Sequence, residues 1–88
     1  MMINRTAVVA SKTGLHARPA ALFAKAAAAS PIPVMISVDG KGPVAAGSLL
    51  QIMTLGVKQG DTVILSAEDG AEVTLDELVE LLETDLDA

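Results

Sequence analysis

The chain contains no cysteine, tryptophan or tyrosine, and it has one phenylalanine and one histidine. The absence of cysteine excludes a disulfide scaffold, a thiolate metal site and catalysis by a thiol. A single histidine leaves little with which to hold a transition metal, and no calcium-loop pattern of acidic residues is present. We therefore expect neither a metal nor a cofactor, and a hydrophobic core built from aliphatic side chains and methionine.

Long apolar runs are also missing. The N-terminus lacks the apolar region and cleavage site of a signal peptide. The alanine-rich stretch around Phe23 is interrupted by Lys25 and ends at Ser30-Pro31, so it is too short to cross a bilayer. Hydrophobic residues nevertheless make up 51% of the 88 residues, which is enough for one folded core. We expect a single domain over residues 1–88, monomeric, cytoplasmic and not inserted into a membrane.

Positive and negative charges occupy different parts of the chain. All six basic residues precede position 61, whereas ten of the eleven acidic residues lie from Asp61 onward. The formal charge is +5 over residues 1–60 and −10 over residues 61–88, which together give −5. An acidic chain with one aromatic residue argues against nucleic-acid binding. The basic excess around His16 would instead attract an acidic or phosphorylated partner.

The pattern of apolar residues and turn signals predicts the element order β-α-β-β-α-β-α. Strands are expected over residues 3–10, 33–38, 42–45 and 62–67, and helices over 17–29, 48–55 and within 71–86. The third strand should lie at a sheet edge, because it contains glycine and proline. The economical architecture is α+β, with one mostly antiparallel sheet and helices on one face.

Local signals support several of these elements. Asp39-Gly40 is a hairpin turn signal, and Gly56 fits the left-handed position after a helix. Thr74 with Glu77 fits a capping box, although a start one turn earlier is also open. The last helix carries an apolar stripe whose members are Leu75, Leu78, Val79, Leu82 and Leu86.

The segment TGLHARPA, residues 13–20, places the only histidine at the start of the first predicted helix. With His16 at the N-cap, the backbone N–H groups of Ala17, Arg18 and Ala20 would lack intrahelical partners. The positive end of the helix dipole would then face the imidazole, and Arg18 would add a fork of donors suited to phosphate. This pattern indicates an anion site that contains a nucleophilic nitrogen. From the spacing alone, an ordinary surface histidine remains an equal alternative.

Three segments of the chain resemble those of one known family. TGLHARPA resembles the active-site signature of HPr, the histidine-containing phosphocarrier of the bacterial phosphoenolpyruvate-dependent sugar phosphotransferase system. GSLLQIMTLG at residues 47–56 resembles the serine-centred segment of that family, and GDTVILSA at residues 60–67 resembles its last strand. The resemblance covers nearly the whole chain. It implies an open-faced β-sandwich in which four antiparallel strands are covered on one side by three helices.

The resemblance also implies a function. His16 would accept a phosphoryl group on Nδ1 from the phosphorylated first enzyme of the system and pass it to the A domain of a sugar permease. Arg18 would neutralise the phosphate, and the N–H groups of Ala17, Arg18 and Ala20 would bind it. The protein would act as a phosphohistidine carrier rather than as a turnover catalyst.

An apolar patch beside the histidine would dock the donor and acceptor enzymes. In the family this surface corresponds to Leu49, Leu50 and Met53, completed near the histidine by Ala17 and Ala20. Exposed apolar patches on soluble proteins commonly mark interaction sites. The alternative, that the leucines and the methionine belong to the core, stays open from the sequence.

Ser48 has two interpretations. It is a good N-cap for the second helix. It also matches the serine that a dedicated kinase phosphorylates in some HPr proteins. Kinase-regulated members commonly have a basic residue where this chain has Gly47, so the departure argues against regulatory phosphorylation.

Two other functions remain as alternatives. One is a carrier of the same fold in a nitrogen-related regulatory branch, although Leu15 and the segment 48–50 lean toward the sugar branch. The other is a regulatory binding module whose phosphorylation state is recognised by kinases or transcription factors. Regulatory relatives that lost carrier function lack the active histidine, so His16 and Arg18 argue against an exclusively regulatory role.

Overall fold

The computed structural model of the chain describes residues 1–87. Its elements follow the predicted order: β1 (Met2–Val8), α1 (Ala17–Ala28), β2 (Met35–Val38), β3 (Lys41–Ala45), α2 (Leu49–Met53), β4 (Thr62–Glu68) and α3 (Glu72–Leu82). No helix among these residues is long and apolar enough to span a bilayer.

The four strands form one antiparallel sheet in the order β1-β4-β2-β3. β1 pairs with β4 from Met2 opposite Glu68 to Val8 opposite Thr62, and β4 pairs with β2 on its other side. β2 and β3 form the predicted hairpin, with Gly40 at φ 81° in its turn. β3 therefore lies at an edge, as expected.

One face of the sheet is covered and the other is open. Along β4, Val63 and Leu65 are fully buried, whereas Ile64 between them is 41% exposed. This alternation is that of a sheet with helices on one side only. Apart from Phe23 the core is aliphatic, and each large side chain buried in it contributes about 1.5–3 kcal/mol of transfer free energy. The predicted open-faced α+β architecture, βαββαβα, is confirmed.

Several element boundaries differ from the sequence predictions, for local reasons. β1 ends at Val8 rather than at residue 10, because the Ala10 N–H donates to the Leu82 carbonyl instead of to a strand, at 3.0 Å. β2 starts at Met35, two residues after Pro33, which has no N–H to offer a ladder. α2 is confined to Leu49–Met53 and is flanked by Ser48 and Thr54 as caps.

The last helix starts before Thr74, the cap favoured by its capping-box pattern, and ends before Leu86, the last residue of its predicted apolar stripe. α3 starts at Glu72 with Ala71 as its N-cap, so the capping box of Thr74 with Glu77 is wrong and the earlier start is correct. Leu86 lies beyond the helix and is half-buried in the segment that follows it. The helical stripe is therefore made by Leu75, Leu78 and Leu82, which are buried, and by half-buried Val79.

Candidate functional site

His16 occupies the N-cap of α1 with an exposed side chain. Its backbone is extended, at φ −142° and ψ 158°, and the imidazole makes no capping hydrogen bond to the helix. Leu15, directly before it, is buried at 3% exposure and donates its N–H to the Val57 carbonyl at 3.1 Å. The chain is thus anchored at Leu15 and presents His16 to solvent, where its ring nitrogens are free to react.

A tight turn precedes the histidine. The Gly14 N–H donates to the Ser11 carbonyl at 2.9 Å, and Gly14 has φ 68°. A Cβ at this position would overlap the carbonyl oxygen of Val57. Glycine is therefore required here both for its left-handed backbone and for the close approach of the Val57 segment.

The first residue of α1 has an unusual backbone conformation. Ala17 has φ 51°, the one positive φ of a non-glycine residue in the described part of the chain. A left-handed alanine costs about 1–2 kcal/mol relative to the right-handed form. Such strain is typical of functional sites, where the surrounding structure holds it. Here it lies next to the exposed imidazole.

Two of the three predicted backbone donors are free. Among residues 1–87, the N–H groups of Ala17 and Arg18 have no hydrogen-bond acceptor, and Pro19 has no N–H. The prediction for Ala20 is wrong, because its N–H is directed to the His16 carbonyl at 3.5 Å. That contact is the first i to i−4 hydrogen bond of the helix, which the N-cap position of His16 dictates.

The side chain of Arg18 is exposed and carries an available charge. Among the described residues, Arg5 is the basic side chain that forms an ion pair with an acidic one: its Nε lies 2.8 Å from Asp76 Oδ1. Arg18 forms no such pair with these residues. The described residues hold no group of three or more His, Cys, Asp or Glu side chains arranged for a metal ion. Arg18, two residues after His16, therefore adds its positive charge to that of the helix terminus.

Helix α2 runs alongside α1 in the opposite direction. At its start, a Cβ on Gly47 would come within 3.2 Å of Ala28, at the far end of α1. Beyond its end, Val57 accepts the hydrogen bond from Leu15. The segment that follows α2 therefore lies beside the loop that carries His16.

Three of the four exposed side chains of α2 are apolar. Leu50 is 77% exposed, Leu49 40% and Met53 36%, whereas Ile52 is completely buried. The alternative that the first three side chains belong to the core is therefore wrong. We call Leu49, Leu50 and Met53 the apolar patch.

The structure separates the two alanines that were expected to complete this surface. Ala17 is exposed, but the side chain of Ala20 is fully buried in the core and cannot join the apolar patch. Ala21 is the exposed neighbour that the sequence analysis missed. Helical spacing was the available signal, because Ala21 follows Ala17 by four residues and so lies on the same face of α1.

Ser48 caps α2 as predicted. Its Oγ accepts a hydrogen bond from the Gln51 N–H at 3.4 Å, and the Gln51 Oε1 accepts one from the Ala45 N–H at 3.1 Å. The glycine before it has a structural reason, because a side chain at Gly47 would press on Ala28. A side chain at position 47 would require α1 and the start of α2 to move apart slightly, so this close contact favours glycine there.

These features define a class of protein. It is a small α+β domain with an open sheet and one exposed histidine at a helix start. Backbone N–H groups and an arginine side chain beside that histidine can donate hydrogen bonds to an anion. Comparison with known proteins names the family. The family model described as "PTS HPr component phosphorylation site" matches residues 3–84. The chain belongs to the HPr family.

Individual relatives support the same assignment. The phosphocarrier protein HPr of Streptomyces coelicolor is 39% identical over 82 residues, 92% of this chain and 88% of the relative. The HPr-like protein Crh of Halalkalibacterium halodurans is 39% identical over 71 residues, 81% of this chain and 83% of the relative. The crystal structure of a phosphocarrier protein HPr from Bacillus anthracis superposes with a TM-score of 0.85 at 34% identity, covering 92% of this chain and 96% of that one.

Proposed function

We propose that this chain is the phosphoryl carrier of a phosphoenolpyruvate-dependent sugar phosphotransferase system. His16 accepts the phosphoryl group from the phosphorylated first enzyme and passes it to the A domain of a sugar permease. The observation that carries the proposal is the exposed imidazole at the N-cap of α1, next to the free N–H groups of Ala17 and Arg18. Membership of a family of phosphocarriers supports it.

The transfer step uses the neutral imidazole as a nucleophile. The Nδ1 lone pair of His16 attacks phosphorus, the bond between phosphorus and the donor enzyme breaks, and the leaving electron pair stays with the donor. In the second half of the cycle a nucleophile of the acceptor domain attacks the same phosphorus. The bond to Nδ1 then breaks, and the electron pair returns to His16.

The surroundings of His16 hold a phosphoryl group without trapping it. A helix N-terminus stabilises an exposed anion by about 0.3–1 kcal/mol, and the N–H groups of Ala17 and Arg18 point that field at the site. Arg18 adds charge-assisted hydrogen bonds on a flexible stem. The site is open rather than a closed cage, so these contacts can be given up when the acceptor arrives. A carrier needs this balance, because binding the phosphoryl group too tightly would slow its release.

The apolar patch is the proposed docking surface for both enzymes. Leu50 is its most exposed member, and the patch lies on the helix whose following segment bonds to Leu15, next to His16. Leucine and methionine side chains adapt to partners of different shape, which suits a surface that meets donor and acceptor in turn. The exposed cation of Arg18 would add long-range attraction to acidic partners.

The direct test is phosphorylation by the first enzyme with labelled phosphoenolpyruvate. We expect acid-labile phosphate on the wild-type chain and none on the His16→Ala variant. Because His16 is the only histidine, histidine-bound label can have no other location. Circular dichroism checks that the variant is folded, and label that persisted in folded His16→Ala would refute the carrier assignment.

The match to the HPr-like protein Crh makes a regulatory role the second candidate. In that role the chain would be read by a serine kinase or a transcriptional regulator, through Ser48 or the apolar patch. The same labelled protein separates the candidates when it is offered to A domains of sugar permeases and of the nitrogen-related branch. Transfer to sugar A domains supports the first proposal. Transfer only to the nitrogen branch, or to none, would refute it.

A further inference from the structure

The residues that follow α3 return to the loop that carries His16. We call residues 83–87 the C-terminal segment. At its start, the Glu83 carboxylate accepts a hydrogen bond from the Val8 N–H at 3.0 Å. Directly before it, the Leu82 carbonyl accepts one from the Ala10 N–H at 3.0 Å. The end of β1 and the start of the His16 loop are therefore tied to the end of α3.

A buried hydroxyl makes the next connection. Ser11 is 2% exposed, the one buried polar residue among those described. Its Oγ donates to the Thr84 carbonyl at 3.3 Å and accepts from the Leu86 N–H at 2.8 Å. A buried hydroxyl without partners would be costly, so its full satisfaction by the C-terminal segment fixes that segment against the loop.

The last connection lies three residues before the histidine. Asp87 Oδ2 accepts two hydrogen bonds from Thr13, from its N–H at 2.8 Å and from its Oγ1 at 2.9 Å. Asp87 is itself held by a turn, in which its N–H donates to Asp85 Oδ1 at 3.0 Å. Thr13 is thus gripped at both its donors by a single carboxylate oxygen.

The hydrogen bonds from Thr13 to Asp87 complete the support of the loop that carries His16. On the far side of Thr13, Gly14 and Leu15 are bonded to the carbonyls of Ser11 and Val57. Within this turn, the N–H and the hydroxyl of Thr13 both donate to the C-terminal segment, at the carboxylate of Asp87. Release of Thr13 would let the turn, and with it the backbone of His16, sample other orientations.

We propose that Asp87 is a positioning residue for phosphoryl transfer at His16. Its carboxylate oxygen holds Thr13, and Thr13 fixes the turn that presents the imidazole to the donor enzyme. The proposal rests on the carrier function proposed above, and it requires no contact between Asp87 and the phosphoryl group. Small errors in the orientation of a nucleophile slow a reaction even when binding is unchanged.

The kinetic test treats the chain as the phosphoryl acceptor of the first enzyme. We expect Asp87→Ala to lower kcat about fivefold while the KM for this chain stays within about twofold, because orientation rather than docking is lost. Asp87→Asn keeps an oxygen that can accept both hydrogen bonds from Thr13, so it should restore kcat to nearly the wild-type value.

The matched control is Glu80→Ala. It removes one carboxylate from the exposed face of α3, and that carboxylate accepts no hydrogen bond from the described residues. Its kcat and KM should equal those of the wild type. An unchanged kcat in Asp87→Ala would overturn the proposal. So would a change confined to KM, or an Asp87→Asn variant as slow as Asp87→Ala, which would show that charge rather than hydrogen bonding matters.

Hydrogen exchange of the Gly14 and Leu15 amides provides a second measurement that needs no partner enzyme. We expect faster exchange of both amides in Asp87→Ala and wild-type exchange in Asp87→Asn, because local opening of the turn exposes them. Equal exchange in all three proteins would overturn the proposal. If the wild-type chain accepts no phosphate at all, the carrier function fails, and the exchange rates still decide whether Asp87 holds the loop.

Discussion

The N-termini of α1 and α2 are two helix starts with opposite designs. Ser48 at the start of α2 uses its side-chain oxygen to accept the Gln51 N–H. His16 at the start of α1 caps nothing, and the N–H groups of Ala17 and Arg18 stay without acceptors among the described residues. A capped helix start is stabilised, but its donors are occupied. An uncapped start gives up that stability and keeps its donors for an external anion.

The two helix starts also differ in backbone strain. Ala17 has a positive φ of 51°, whereas no residue at the start of α2 is a non-glycine with positive φ. The strained backbone of Ala17 is kept in place by the residues before it in the chain. Leu15 is buried, Gly14 forms a tight turn, and the C-terminal segment is hydrogen-bonded to Ser11 and Thr13. The start of α1 is therefore maintained by tertiary contacts, and the start of α2 by its own cap.

The largest expected effect comes from giving α1 the design of α2. The His16→Ser variant should lose all acid-labile labelling, because the nucleophilic nitrogen is gone. It should also unfold at a higher urea concentration than His16→Ala, with about 0.5–1 kcal/mol more stability, because serine can cap the Arg18 N–H. Urea denaturation of both variants measures this difference. Equal stabilities would mean that the backbone at Ala17 prevents capping.

A smaller effect is expected from removing the exposed cation of Arg18 at the start of α1. Arg18→Ala should slow phosphoryl transfer by about tenfold or more, since charge-assisted hydrogen bonds are worth about 1.5–3 kcal/mol and about 1.4 kcal/mol is a factor of ten. Stability should not change, because Arg18 is exposed and has no acidic partner within residues 1–87. Rapid-quench kinetics with the first enzyme measures the rate.

Lys25→Ala is the matched control for that experiment. Lys25 is exposed on the same helix, two turns further on, and removing it takes away the same charge. It should slow transfer by less than about twofold, because exposed charges at that distance are largely screened. Equal slowing by the two variants would show that Arg18 acts through general attraction rather than at the phosphate.

The features predicted correctly from the sequence are those that short segments specify. The Asp39-Gly40 turn, the Ser48 cap and the existence of β4 each depend on residues within one element, so local patterns were sufficient. The error at Ala20 was avoidable, because an N-cap at His16 assigns that N–H to the first helical hydrogen bond.

Other features depend on contacts between distant parts of the chain. The bond between Thr13 and Asp87 joins residues 74 apart, and no spacing rule connects them. The positive φ of Ala17 has no local signal either, since alanine ordinarily prefers the right-handed region. Both features lie close to His16 in the chain, where tertiary packing rather than local propensity sets the conformation.

The smallest expected effect tests whether the two helix starts are independent. Ser48→Ala should lower the free energy of unfolding by about 0.5–1 kcal/mol, at the low end for a lost cap because the bond to Gln51 is long. Ser48→Asp keeps a capping oxygen and should retain the stability that the alanine variant loses. Ser48→Ala should accept label on His16 at the wild-type rate, as measured in the same assay, because it removes the cap and adds no charge beside the apolar patch. A slower rate in Ser48→Ala would mean that the cap of α2 also supports the site, through the Val57 segment that follows this helix and bonds to Leu15.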